Sequence, residues 1–132
     1  MRCTIVGAGV SGLSSGIRLL ESGHDVQILS DKFSPETVSD VAEAIWYPFL
    51  VRPADKADTW GLVTYSVLEE LCEESPEAGV KMRDGQEYLR GVVDLPPWKD
   101  EIAAFRILEG SEVPDGYVLG WELRAPSIDR HY

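Results

Sequence analysis

Gly7, Gly9 and Gly12 make a G-x-G-x-x-G pattern between an apolar run, Cys3 to Val6, and a helix-compatible run, Leu13 to Leu20. Strand, tight turn and helix in that order are the setting in which such glycines hold a dinucleotide diphosphate. Gly7 permits a turn that a Cβ would resist, and Gly9 lets backbone approach a pyrophosphate. Gly12 and Gly16 leave room for the helix to lie on the sheet. The segment Gly7, Ala8, Gly9, Val10, Ser11 and Gly12 would then meet the phosphates at a helix N-terminus, where unpaired N–H groups and the dipole favour negative charge.

The flanks agree with this chemistry. The helix should run to about Ser22, with Gly23 as a left-handed cap and Val26 to Leu29 as a second strand. Asp31 follows Gly12 by 19 residues. An acid roughly 20 residues on is expected to bond a ribose hydroxyl. His24 falls in the turn between helix and strand and reads as structural, with no ligand role.

Bulk properties set the bounds. At 132 residues the chain holds one domain's worth of sequence at most, with 44% apolar and 27% charged residues. No apolar run nears the ~20 residues that span a bilayer, so no membrane role is expected. A net charge of −11 argues against nucleic acid. Glu69, Glu70, Glu73, Glu74 and Glu77 read as a solvated helix end. Cys3 and Cys72 lack metal-ligand spacing, no metal site is expected, and both read as reduced thiols of a cytoplasmic protein. The first strand begins by residue 3, leaving a cleavable signal peptide no room.

Further along, Asp31 to Thr37 reads as a polar loop, and Ser39 to Pro48 could make one helical turn before Pro48. Asp58 is a plausible N-cap for a helix to about Glu74, with Trp60, Val63, Val67, Leu68 and Leu71 as its core-facing stripe. Val80 to Arg83 and Gln86 to Leu89 flank Asp84-Gly85, which predicts a two-residue hairpin. Phe105 to Leu108 and Tyr117 to Arg124 are further strands, and Ser127 would cap a following helix. The order is a βαβ unit, a helix, then antiparallel strands, which departs from a plain doubly wound sheet. Two parallel strands leave too much surface wet to stand as a sheet alone, so the chain is expected to be the front part of a larger protein.

The fingerprint, the loop Ser30 to Pro35 and the segment Ser39-Asp-Val-Ala-Glu-Ala-Ile-Trp-Tyr-Pro48 together resemble the N-terminal third of D-amino-acid oxidases, most nearly the bacterial type. The Trp60 helix, the Pro97-Trp98-Lys99 turn and Gly116 to Trp121 fall in the order of that family's landmarks. The resemblance implies an α/β fold: a Rossmann-like FAD-binding βαβ unit followed by part of an antiparallel-sheet substrate domain, an incomplete two-domain flavin oxidase. Residues 1–75 would be the N-terminal part of the FAD-binding domain and 76–132 the beginning of the substrate domain. It further implies FAD as cofactor, a small D-amino acid and dioxygen as partners, and the missing C-terminal segment of the same fold. By the same resemblance, Gly7 to Gly12 hold the pyrophosphate and Asp31 with Lys32 the adenosine ribose and its surroundings. Thr37 and Ser39 line the adenosine and diphosphate side, and backbone N–H groups of Ala44 and Ile45 meet the flavin's carbonyl edge. Tyr47, with Phe49 close to it, lies near the substrate pocket. Glu43 stands where the family usually has alanine. Catalytic residues would follow Tyr132, so none is expected within this segment.

Three other readings stay open on the residues. A glycine or sarcosine oxidase shares the fingerprint but usually lacks Ile45-Trp46-Tyr47-Pro48. A non-catalytic nucleotide-binding fragment would need a complementary segment. A nicotinamide dehydrogenase is permitted by Asp31 but fits poorly with the strand-rich second half.

Overall fold

Strands β1 (Arg2–Val6) and β2 (Asp25–Leu29) pair in parallel, from Arg2 opposite Asp25 to Val6 opposite Leu29, with helix α1 (Val10–Glu21) between them. This is the βαβ unit that the sequence predicts. The computed structural model describes residues 1–128, which divide into compact units of Met1–Glu43 and of Ala44 onward. In the first unit, alternation turns Cys3, Ile5, Val26 and Ile28 towards α1. Gly16 is buried there, and a Cβ on it would make ordinary contacts of 3.4–3.6 Å with Ile5, Ile28 and Val26. Gly23 ends the helix at φ +78°, its N–H bonding the Leu20 carbonyl while that of His24 reaches Leu19. The opposite sheet face is bare, and Val6 is 86% exposed. A short helix, α2 (Val38–Val41), completes this unit.

The second unit is organised by a ten-residue strand. Its elements are β3 (Ala44–Ile45), α3 (Ala54–Glu74), a 3-10 turn (Pro76–Ala78), β4 (Val80–Leu89), β5 (Phe105–Ile107), a second 3-10 turn (Gly110–Glu112) and β6 (Leu119–Ile128). Strand β4 pairs antiparallel with β6 along its whole length. A strand has only two edges, so β5, opposite Trp121 to Leu123, and β3, opposite Ser127 and Ile128, share the other. Trp46, Tyr65, Trp98, Ile102, Trp121, Leu123 and Ala125 form the core. Its rings meet edge to face, Trp46 lying 5.0 Å from Tyr65 and 5.1 Å from Trp98.

Four expectations need correction. Asp84-Gly85 does not turn the chain: Asp84 faces Arg124 and Gly85 faces Leu123 within one continuous β4. The predicted turn needs positive φ at both central residues, and neither has it; β6 supplies an uninterrupted partner that overrides the local signal. Helix α3 starts at Ala54 behind Pro53, four residues before Asp58. Its buried side chains are Ala57 and Tyr65, whereas Trp60 and Val63 are 58% and 61% exposed. Small residues make the close approach: the Gly61 carbonyl accepts the Trp46 indole N–H at 2.7 Å, and a Cβ there would lie 3.0 Å from Pro48.

The last correction concerns Ser127, which lies inside β6, 2% exposed, rather than capping a helix. Its Oγ accepts from Arg83 Nε at 2.8 Å. Pro126 is tolerated within β6 because its nitrogen faces the β3 edge. There the Trp46 N–H bonds the Pro126 carbonyl, and no proline N–H is needed in return. A helix after Ser127 would lie in 129–132, outside the described residues.

The compact units part between Glu43 and Ala44, a division by packing that does not bear on the functional boundary expected between 75 and 76. The units part there because β3 pairs with β6 and α3 packs on the β4–β6 sheet. No helix of the described residues is long and apolar enough to cross a membrane.

Candidate functional site

The nucleotide-binding candidates of the first unit gather around the start of α1. Gly7 leaves β1 at φ +106°, a conformation that favours glycine. Its N–H bonds the Leu29 carbonyl at 2.7 Å, tying the turn to the end of β2. Gly12 is required for a different reason: a Cβ on it would stand 2.1 Å from the Gly7 carbonyl oxygen. Gly9 is the N-cap, and a Cβ on it would meet Ser39 Oγ at 2.9 Å. Ala8 is 3% exposed. The first turn of α1 contains no acid, so nothing on the helix opposes a phosphate at its positive end. The N–H groups of Gly9, Ser11 and Gly12 have no hydrogen-bond partner among the described residues. Unpaired donors at a helix start, with glycine backbone in reach, fit a diphosphate.

Two serines brace this turn. Ser39 Oγ accepts the Val10 N–H at 3.0 Å. Ser30 Oγ accepts the Ala8 N–H at 3.2 Å and donates to the Lys32 carbonyl at 2.6 Å. The structure thus brings Ser39 to the glycine turn and places Lys32 backbone beside Ser30, whereas the Asp31 and Lys32 side chains stand exposed. Thr37 caps α2, donating from N and Oγ1 to Asp40 Oδ2 at 2.8 and 2.5 Å, while Ser34 Oγ donates to Oδ1 at 2.6 Å. The Ser34 hydroxyl, helped by Thr37, holds the Asp40 carboxyl below the usual carboxylate range. Ser30 and Asp40 had no role in the sequence reading. For Asp40 the signal was present, since Thr37-x-x-Asp40 has capping-box spacing.

Ala44, Ile45, Tyr47 and Phe49 belong to the second unit. In an antiparallel ladder a residue's N–H and C=O point to the same side and alternate along the strand. The Trp46 N–H points into the sheet, so that of Ala44 does too. Ile45 directs both its N–H and its C=O outward from β3, offering a donor and an acceptor side by side. Glu43, Ala44 and Ile45 are exposed. Phe49 is 67% exposed. Tyr47 is half-buried, stands edge-on to Trp98 at 5.5 Å and donates its hydroxyl hydrogen to Glu87 Oε2. Burial, then the Glu87 bond and charge, push its phenol well above the ordinary value, opposed by the Trp121 indole.

Comparison with known proteins now decides the family. Residues 2–125 match the model of the family described as FAD dependent oxidoreductase. The chain belongs to that family. It is 35% identical over 126 residues to a D-amino-acid oxidase of Rubrobacter xylanophilus, covering 95% of this chain and 38% of that protein. A D-amino-acid oxidase of Dictyostelium discoideum is 36% identical over 122 residues, 90% of this chain and 35% of its own length. One from Streptomyces coelicolor is 31% identical over 127 residues, 95% of this chain and 38% of the relative. The chain therefore spans little more than a third of the curated relatives it matches. The family's cofactor is FAD, and the open N–H groups and glycine approach at α1 suit its diphosphate.

Proposed function

We propose that this chain is the FAD-binding N-terminal part of a D-amino-acid oxidase of the cytoplasm. The reaction is oxidative deamination of a D-amino acid to a 2-oxo acid, with ammonia and hydrogen peroxide released to water. The observation that carries the reading is the α1 turn, with Gly12 under the Gly7 carbonyl and three N–H groups open, in a chain whose relatives are named as such oxidases. FAD, when bound, supplies the hydride acceptor and passes the electrons to dioxygen.

The chain's own residues bind and orient. Within the Gly7 to Gly12 turn the open N–H groups of Gly9, Ser11 and Gly12 hold the diphosphate, and Asp31 and Lys32 serve the adenosine ribose and its surroundings. Thr37 and Ser39 serve the adenosine and diphosphate side. The outward N–H of Ile45 meets the ring's carbonyl edge, whereas the Ala44 N–H expected there is turned to β6 instead. Tyr47 and Phe49 line the substrate pocket. Orienting the substrate Cα–H is the main task left to protein, and catalytic groups come from a further segment of the same fold. The test is a flavin absorbance spectrum of the full-length protein, followed by peroxide release with D-alanine and with sarcosine. Turnover of D-alanine supports the reading, turnover of sarcosine alone favours a glycine or sarcosine oxidase, and a protein without flavin ends both.

A further inference from the structure

Glu87 is a carboxylate on the inner row of the sheet. It stands directly opposite Trp121 in the β4–β6 register, on the same strand face as Lys81, Arg83, Gly85 and Leu89. The sheet's other acids are matched by arginine: Asp84 by Arg124, Glu122 by Arg106, and Glu112 from the adjoining 3-10 turn also by Arg106. Glu87 has no cation within ion-pair distance among the described residues, and its one hydrogen-bond partner is the Tyr47 phenol. Beside it, Trp121 is 2% exposed and its Nε1 is a buried donor with no hydrogen-bond partner among the described residues. The phenol keeps its proton and adds no positive charge. Lys81 and Arg83 share its row but stand six and four residues away along β4. Glu87 is thus a half-sheltered carboxylate without an ion-pair partner among the described residues, beside the Tyr47 phenol and the Trp121 ring. A sheltered carboxylate without a cation gains most from a ligand that brings one, and aromatic faces add to that attraction.

We propose that Glu87 is a specificity-determining residue that favours D-amino acids with a cationic side chain over neutral ones of the same shape. The proposal rests on the reading of Tyr47 as a substrate-lining residue of a D-amino-acid oxidase. Tyr47 is the positioning residue: its hydroxyl fixes the carboxylate, and the charge selects.

In the full-length holoenzyme, the ratio of kcat/KM for D-lysine to that for D-norleucine isolates one ammonium group at constant chain length. Glu87→Gln retains an acceptor for Tyr47 and removes the charge, and it lowers that ratio about tenfold. Tyr47→Phe keeps the charge and leaves the ratio within about threefold of wild type. A ratio unmoved by Glu87→Gln, or moved equally by Tyr47→Phe, overturns the role of the charge while D-alanine turnover still upholds the oxidase. Absence of all D-amino-acid turnover in the wild type overturns both.

Discussion

Ser39 Oγ accepts the Val10 amide hydrogen at 3.0 Å, so a side chain from α2 closes over the first turn of α1. The bond uses one of the hydroxyl's lone pairs and leaves its hydrogen available to a phosphate oxygen. Ser39→Ala is expected to weaken FAD affinity about tenfold, the scale of one hydrogen bond to a charged group. Titration of the full-length apoprotein by flavin fluorescence quenching checks this, and an unchanged Kd removes Ser39 from the cofactor site.

The two helical glycines of α1 should respond in opposite ways. A Cβ at Gly12 falls 2.1 Å from the Gly7 carbonyl, whereas one at Gly16 finds only ordinary contacts. Gly12→Ala is expected to cost about 3 kcal/mol or more, because backbone must move. Gly16→Ala should be within about 1 kcal/mol of wild type, helix propensity favouring alanine. Urea unfolding of the two variants separates the roles; equal losses would mean that the β1–α1 turn yields more easily than its geometry indicates.

Acid should loosen the hold of β5 on β6 through one arginine. Arg106 holds Glu112 with two bonds and Glu122 with a third. The bonds from Arg106, then the Glu109 N–H, bring the Glu112 carboxyl down from 4.5 to about 2. Glu122 is lowered as well, again chiefly by Arg106. A depressed carboxylate contributes stability that is present in full above pH 4.5 and is lost as pH falls towards 2. Arg106→Gln should flatten the stability profile across that window while changing its shape little near neutrality. Thermal melts from pH 2 to 7 provide the measurement.

Alkali probes the Tyr47–Glu87 pair. Tyr47 is raised by burial and by Glu87, so the stability it lends is complete below about pH 10 and lost as pH climbs towards its own ionisation. Burial raises the Tyr65 phenol as well, so absorbance at the tyrosinate band should show two late phenols among the described residues, and Glu87→Gln should move one of them earlier. Identical titration curves for the two proteins would deny that Glu87 faces Tyr47 in solution.

Much of the first unit was legible because its signals are local. The glycine turn, the Gly23 cap and the two alternating strands each follow from a few adjacent residues. Asp31 follows from spacing alone, and the structure leaves its side chain exposed. The second unit misled wherever a distant partner decided the outcome. Asp84-Gly85 carries a turn signal, yet β6 holds it straight. Trp60 and Val63 match a helical stripe, yet Ala57 is buried instead and Gly61 meets Pro48, where a Cβ would already lie 3.0 Å away. The sequence predicts that the last strand ends at Arg124, and the side on which the Pro126 nitrogen points explains how it runs on to Ile128. The bracing by Ser30 and Ser39 depends on loops meeting in space, which spacing does not encode.

β6 has a consequence for synthesis. Its partners lie at 44–45, 80–89 and 105–107, all upstream of Leu119. A nascent chain that has emerged only through residue 107 holds three strands with nothing to join them, and Trp46 and Trp98 lack the indole of Trp121 that completes their cluster. The second unit closes late, after long loops have been gathered at an entropic cost. Until residues 119–128 have left the ribosome, the edges of β3, β4 and β5 wait unpaired.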